Sequence, residues 1–282
     1  MKTIRLLYPD YVSGNLDEYY LGSYLMAQIV PQNEEQKLCV VELPKPETIK
    51  PQVVDGIYGQ DFVLDGINKA KAILKAESPE KIITIGGNCL VSLVPFDYLH
   101  TLYQDVGIIW IDAHPDVSTS KDGYPNAHAM VLGSLLGGGA SFLRESMEGP
   151  TFMPQDLLYV GLQDLYSYQK QYLDDLKVDY EIQNKEIISE TKIKAFLEQH
   201  PQVLVHLDID VLDPKFFAAT YFANPTLVGD GSGGGIMTLD KLSQILSLLD
   251  EKSSILGFTI AEYLPFAEYK LHKAFNKLKI FS

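Results

Sequence analysis

A chain of 282 residues, 46% hydrophobic and 21% charged, can bury a substantial core as one large α/β domain or two small ones. Its formal net charge of -14 lacks the basic footprint of a nucleic-acid binder and is compatible with a small cationic substrate. Only two cysteines are present, Cys39 and Cys89, which excludes a disulfide framework and fits a reducing compartment.

In chain order, the N-terminus carries one short apolar run, cut by Pro9 and Asp10. That is far below the length of a signal-peptide core or a membrane span, so a soluble, cytoplasmic protein is expected. Residues 3–7 read as a first buried strand and 38–43 as a second. Phe62, Ile67, Ala70 and Leu74 follow at helical spacing. Further strands are expected over 81–85, 106–111, 157–162, 203–209 and 255–260, several of them continuously apolar, as in a parallel sheet covered on both faces. A helix is expected where Leu239, Leu242, Ile245, Leu246 and Leu249 recur. The alternation predicts a single-domain, three-layer αβα fold with a mainly parallel sheet, whose ligand site lies at the carboxyl ends of the strands. The glycine-rich segment 229–235 (GDGSGGG) reads as a loop bordering that site, with Thr238 placed to cap the helix behind it. It lacks the Lys-Ser/Thr ending of a phosphate-binding loop. The last stretch, 266–282, has helical spacing at Leu271, Phe275 and Leu278 and four lysines.

Chemistry concentrates at two strand ends. The segment IIWIDAHPDVS sets Asp112, His114 and Asp116 at alternating positions, so an extended chain aims all three to one side. HLDIDVLDP repeats the device with Asp208 and Asp210, and Asp213-Pro214 turns the chain. A single strand-end aspartate is ordinarily a cap or an Asx turn, the reading kept for Asp213. Two strands each ending in Asp-x-His/Asp crowd carboxylates that a cation or another positive partner must offset, and the repeated pattern points to metal. Carboxylates with a histidine suit Mn or Fe, then Zn. Two ions sharing carboxylates roughly 3.5–4 Å apart would turn a bridging water into hydroxide near neutral pH.

IDAHPD and LDIDVLDP resemble the two signature motifs of the ureohydrolase (arginase) family, whose members hydrolyse guanidino compounds at a binuclear manganese centre in an α/β fold. IGGNC, NAHAM, GGGIMTLDKL and AEYLP resemble further family segments in the same order, so the similarity spans residues 85–265. The resemblance implies that Asp112 and Asp208 bridge two metals, that His114 and Asp210 complete one site, and that Asp116 belongs to the other. It implies that His128 shuttles a proton to the leaving amine and that Glu262 grips the guanidinium. Ser118, Asp164 and Thr238 would join Glu262 in binding substrate. The implied reaction releases urea and an amine through a metal-bound hydroxide, in a homo-oligomer that is a trimer or hexamer, with no nucleic-acid or membrane partner.

Two departures stand out. Where the family has Gly-Gly-Asp-His with a ligating histidine, this chain has Gly86-Gly87-Asn88-Cys89. As a thiolate, Cys89 would shift preference toward Zn or Fe; as a small buried thiol it would leave that site weak. Cysteine here resembles the hydroxyarginine-hydrolysing branch. In GLQDLYSYQ, Asp164 matches the first of two aspartates near the substrate's amino group, but Tyr166 stands where the second would be, which argues against L-arginine. Ser118 likewise replaces the asparagine typical of arginases. Two other readings stay open: a non-catalytic relative holding one structural ion, and a deacetylase-type amidohydrolase using a single zinc.

Overall fold

The computed structural model describes residues 1–224 and 233–281. The seven expected strands all form: β1 (Thr3–Tyr8), β2 (Lys37–Val40), β5 (Lys81–Gly86), β6 (Gly107–Ile111), β7 (Leu157–Val160), β8 (Gln202–Asp208) and β9 (Ser254–Ala261). A short antiparallel hairpin, β3 (Val53–Val54) with β4 (Ile57–Tyr58), stands apart from them. The seven pair in the order β2-β1-β5-β9-β8-β6-β7, every pair parallel. Helices α1 (Glu18–Ile29), α2 (Gln60–Glu77), α3 (Leu93–Leu102), α4 (Val131–Leu135), α5 (Ser141–Glu145), α6 (Ser167–Leu176), α7 (Glu190–Gln199), α8 (Leu239–Lys252) and α9 (Phe266–Phe275) make the connections.

Strand alternation divides the apolar residues between two faces. Ile108, Trp110 and Leu204 bury into one cluster with Val63, Ile67, Ala70 and Leu74 of α2 and with Phe96 of α3. Ile109, Ile111, Val203 and Val205 bury into the other, against Ile193 of α7 and Leu242, Ile245 and Leu249 of α8. Because both faces are covered, the strands have no polar side to show, which is why they read as continuous apolar runs. The three-layer αβα arrangement follows.

Two ends differ from expectation for local reasons. β7 stops at Val160 rather than 162 because Gly161 turns the chain with φ +97, and β2 ends at Val40, three residues before the anticipated end. Thr238 caps α8, its hydroxyl accepting from Lys241 N at 3.2 Å. Of the glycine-rich segment 229–235, residues 229–232 lie outside the described residues, so its placement beside the site is not described. The C-terminal helical spacing forms α9, which buries Phe266 and Tyr269 and leaves Leu271 and Phe275 exposed. Among the described residues no helix is long and apolar enough to cross a membrane.

Four adjacent strands, β5, β9, β8 and β6, occupy the middle of the sheet. Their carboxyl ends share one rim, where ligands bind in open parallel sheets.

Candidate metal centre

Register sets the site. Ile85 of β5 lies opposite Ile260 of β9, Asp208 of β8 opposite Ala261, and Ile111 of β6 opposite Leu207. Asp112, Asp208 and Glu262 therefore leave the ladder at one level, with Cys89 opening a short turn after β5. All four side chains are buried.

Each Asp-x-His/Asp segment closes on itself. Asp112 Oδ1 accepts from the His114 backbone N–H at 2.6 Å, and Asp208 Oδ1 accepts from that of Asp210 at 2.6 Å. The Asx turn and the ligand reading are thus compatible: one carboxylate oxygen turns the chain while the other faces the cluster. Asp112 Oδ2 takes a hydrogen bond from Trp110 Nε1 at 2.9 Å, and Asp208 Oδ2 one from the Cys89 thiol at 3.0 Å. His114 Nδ1 lies 3.0 Å from Asp210 Oδ2. Asp116 is held with φ +50, in the left-handed region, and Glu262 with φ +63.

The electrostatics ask for positive charge. Burial, then repulsion from neighbouring carboxylates, raises Asp112 above the usual range, and Asp116 and Asp208 well above it. The Cys89 thiol is pushed well up by burial and then by Asp116 and Asp208. Burial alone would lower His114, but the charges of Asp210 and Asp112 outweigh it and hold the imidazole well up. His206, fully buried beneath the cluster, is pushed down to about 4 by burial. Among the described residues, His114 Nε2, Asp116 Oδ2 and His206 Nε2 are buried without a hydrogen-bond partner. Orphaned donors or acceptors of this kind are costly unless something pairs with them.

Several groups of ligand atoms lie within 4.8 Å of one another: Asp112, His114 and Asp210; Asp208, Asp210 and Glu262; and Cys89, Asp112, Asp116 and His206. This spacing, burial and donor set fit one or two transition-metal ions.

The cluster floors a pocket of about 550 Å³. Glu262 Oε1 accepts from His128 Nδ1 at 2.8 Å, and His128 Nε2 meets the Tyr124 hydroxyl at 3.1 Å. Ser118 lines the wall, its hydroxyl 3.0 Å from that of Tyr168. Tyr166 lies at the mouth, stacked on Tyr168 at 5.9 Å. Two expected substrate-binding residues are not brought there. Asp164 is exposed and takes a hydrogen bond from Asn184 Nδ2 at 2.9 Å, because the side chain after Gln163 turns outward. Thr238 is occupied capping α8 and lines a separate small cavity with Phe216 and Phe217.

Three features escaped the motif reading. His206 precedes Asp208 by two residues on one strand face, a period-two signal that could have found it. Asn88 ties the loops after β1 and β5 together, donating to the Asp10 carbonyl at 3.0 Å and accepting from Ser13 Oγ at 2.8 Å. Tyr19 reaches Glu262 from α1, and nothing in its own sequence neighbourhood signals that long-range contact.

Fold and site together define a three-layer α/β protein with a buried, acidic, metal-type cluster at the carboxyl rim of a parallel sheet. Residues 50–276 match the arginase family, and the chain belongs to that family. It is 24% identical over 230 residues to an arginase of Staphylococcus aureus, covering 78% of this chain and 73% of that protein. It is 27% identical over 186 residues to an agmatinase of Halalkalibacterium halodurans, covering 65% of this chain but only 55% of the relative. Among solved structures, Entamoeba histolytica arginase in complex with L-ornithine superposes with a TM-score of 0.77 at 21% identity, covering 93% of this chain and 90% of that one. The formimidoylglutamase of Bacillus subtilis does so with a TM-score of 0.66 at 15% identity, covering 93% and 79%. The structural likenesses establish the fold, and a fold alone does not fix a substrate.

Proposed function

We propose that this chain is a metal-dependent hydrolase of a small guanidino compound, releasing urea and an amine. The observation that carries the reading is the buried carboxylate and imidazole cluster opening into a 550 Å³ pocket beside the Glu262–His128 pair. Asp112, His114, Asp208 and Asp210 would hold one ion; Asp116 and Cys89 would share Asp112 and Asp208 to hold a second. Manganese suits the first set, and a Cys89 thiolate tilts the second toward Zn or Fe. When bound, the ions supply Lewis acidity that makes water nucleophilic near neutral pH.

The chain's own groups do the rest. Glu262 orients the planar guanidinium by charge-assisted hydrogen bonds. The unpartnered Asp116 Oδ2 orients the attacking water. Water gives up a proton toward Asp116 as its oxygen adds to the guanidino carbon. The bond to the alkyl nitrogen breaks as that oxygen becomes the urea carbonyl, and His128 hands the nitrogen a proton, regaining one from the water-derived hydroxyl or from solvent. The contact between His128 Nε2 and the Tyr124 hydroxyl offers a route by which the imidazole is reprotonated from the pocket mouth.

The tail end selects against an α-amino acid. Asp164 is turned away and Tyr166 lines the mouth, so no carboxylate pair is offered to an α-ammonium there by these two positions. The substrate class is a guanidino compound without that head group. Protein loaded with Mn, Fe or Zn and offered a panel of guanidino alkanes, guanidino acids and L-arginine should release urea from a member of the first two classes, with L-arginine slower. Urea from none of them, with metal demonstrably bound, overturns the proposal.

A further inference from the structure

We propose that His206 is a metal ligand, supplying through Nε2 the imidazole for the ion shared by Cys89, Asp112 and Asp116. The inference rests on the metal-centre reading above and deepens it. His206 lies on β8 two residues before Asp208, on the same strand face, and its side chain is fully buried. Its ring is fixed from two directions. It stacks on Trp110 at 3.7 Å and 10° between planes, and its Nδ1 lies 2.8 Å from the Ser92 hydroxyl.

The free edge of that ring is the telling part. Nε2 has no hydrogen-bond partner among the described residues, and it lies 3.9 Å from Asp112 Oδ2. That distance is too long for a hydrogen bond. With Nδ1–H donating to Ser92 Oγ, the Nε2 lone pair faces carboxylate oxygens, an arrangement that favours a cation between them. Ligand atoms of Cys89, Asp112, Asp116 and His206 all lie within 4.8 Å of one another, so side-chain shifts of roughly a few tenths of an ångström or more bring them to metal–ligand bonds of about 2.0–2.3 Å. A metal-bound histidine characteristically donates its other ring N–H to an oxygen that fixes its tautomer, and Ser92 is placed for that role. The imidazole absent at position 89 is thereby regained from β8. The resulting thiolate, imidazole and carboxylate set selects Zn or Fe over Mn at this position, while the site of Asp112, His114, Asp208 and Asp210 keeps the harder donor set.

The test is cobalt(II) titration of the metal-free full chain, followed by metal analysis, absorption and X-ray absorption spectroscopy. The wild type is compared with His206→Phe, which keeps a ring on Trp110 but no nitrogen, and His206→Gln, which keeps a polar group should the first fail to fold. The wild type should take up two ions with a thiolate-to-cobalt charge-transfer band. Either folded variant should lose affinity for one ion by at least about 10-fold, lose one imidazole scatterer and keep the other ion. Both ions retained with wild-type affinity and spectrum, or both weakened equally with no scatterer lost, overturns the assignment of His206. A wild type that takes up no cobalt instead removes the metal centre itself, so the two failures are distinguishable.

Discussion

Asp116 and Glu262 adopt left-handed backbone, with φ +50 and +63, at a cost of about 1–3 kcal/mol each for a residue that is not glycine. Asp116 is also a buried carboxylate without a partner on Oδ2. Left-handed backbone also occurs at Ser78 and Lys177, where α2 and α6 end, so it is the unpartnered buried carboxylate that points to a role for Asp116 in the site. Asp116→Gly should therefore raise the melting temperature of the metal-free protein while abolishing urea release. A lower melting temperature would show that Asp116 stabilises the fold instead. His128→Asn should keep its metal content but lower kcat by about 10²–10⁴-fold, the usual worth of a positioned proton donor; an unchanged kcat would remove His128 from the mechanism. At this scale the sequence is most informative where a motif carries its own geometry. Asp112-x-His114 and Asp208-x-Asp210 could be read because the second residue's N–H closes on the first. His206 and Tyr19 could not be read that way, because their partners are far away in the chain; Asn88 does close locally, accepting the Leu90 N–H at 3.1 Å, but its ties to Asp10 and Ser13 are long-range.

Among elements, the meeting of the loops after β1 and β5 positions Cys89. Gly87 passes so close to Asp10 that a Cβ would overlap the Asp10 carbonyl oxygen, and Glu262 N donates to Gly87 O at 2.7 Å. Gly87→Ala must separate these segments. It should lower unfolding stability by about 1–3 kcal/mol, the scale of overpacking, and weaken the ion nearest Cys89. Urea denaturation at constant m-value checks the first part, and wild-type stability would contradict it. The strands themselves were legible because burial on both faces writes a continuous apolar run. Their ends were not: β7 stops where Gly161 takes φ +97 and β2 stops at Val40, although the apolar run continues past both. The same limit explains Asp164 and Thr238, since matching motif order does not say which way a loop side chain points.

For the whole molecule, the net charge of -14 and the buried carboxylates make stability a function of pH and metal together. The Asp112, Asp116 and Asp208 carboxyls hold protons more tightly folded than unfolded. Their contribution is present below about pH 3.9, the unfolded value, and is lost as pH rises through the folded values. His206 works oppositely: lowered to about 4, it binds its proton less tightly folded than unfolded. It contributes stability above its unfolded value of about 6.5, lost as pH falls toward 4. The raised His114 imidazole acts in the same direction as the three carboxyls, and His206 alone opposes them. The gain in melting temperature on adding Mn should therefore grow as pH rises above the unfolded carboxyl value of about 3.9. A gain independent of pH would contradict this linkage. The expectation that the whole chain is one domain predicts a single cooperative unfolding transition, and the expected trimer or hexamer is read directly by sedimentation equilibrium.

The account turns on whether the strand-end cluster is a two-ion centre, and anomalous diffraction from metal-loaded crystals measures that directly. It should show two peaks about 3.5–4 Å apart, one among Asp112, His114, Asp208 and Asp210 and the other beside Asp116, Cys89 and His206. A single peak, or no anomalous peak within this cluster, at full metal loading in solution would contradict it.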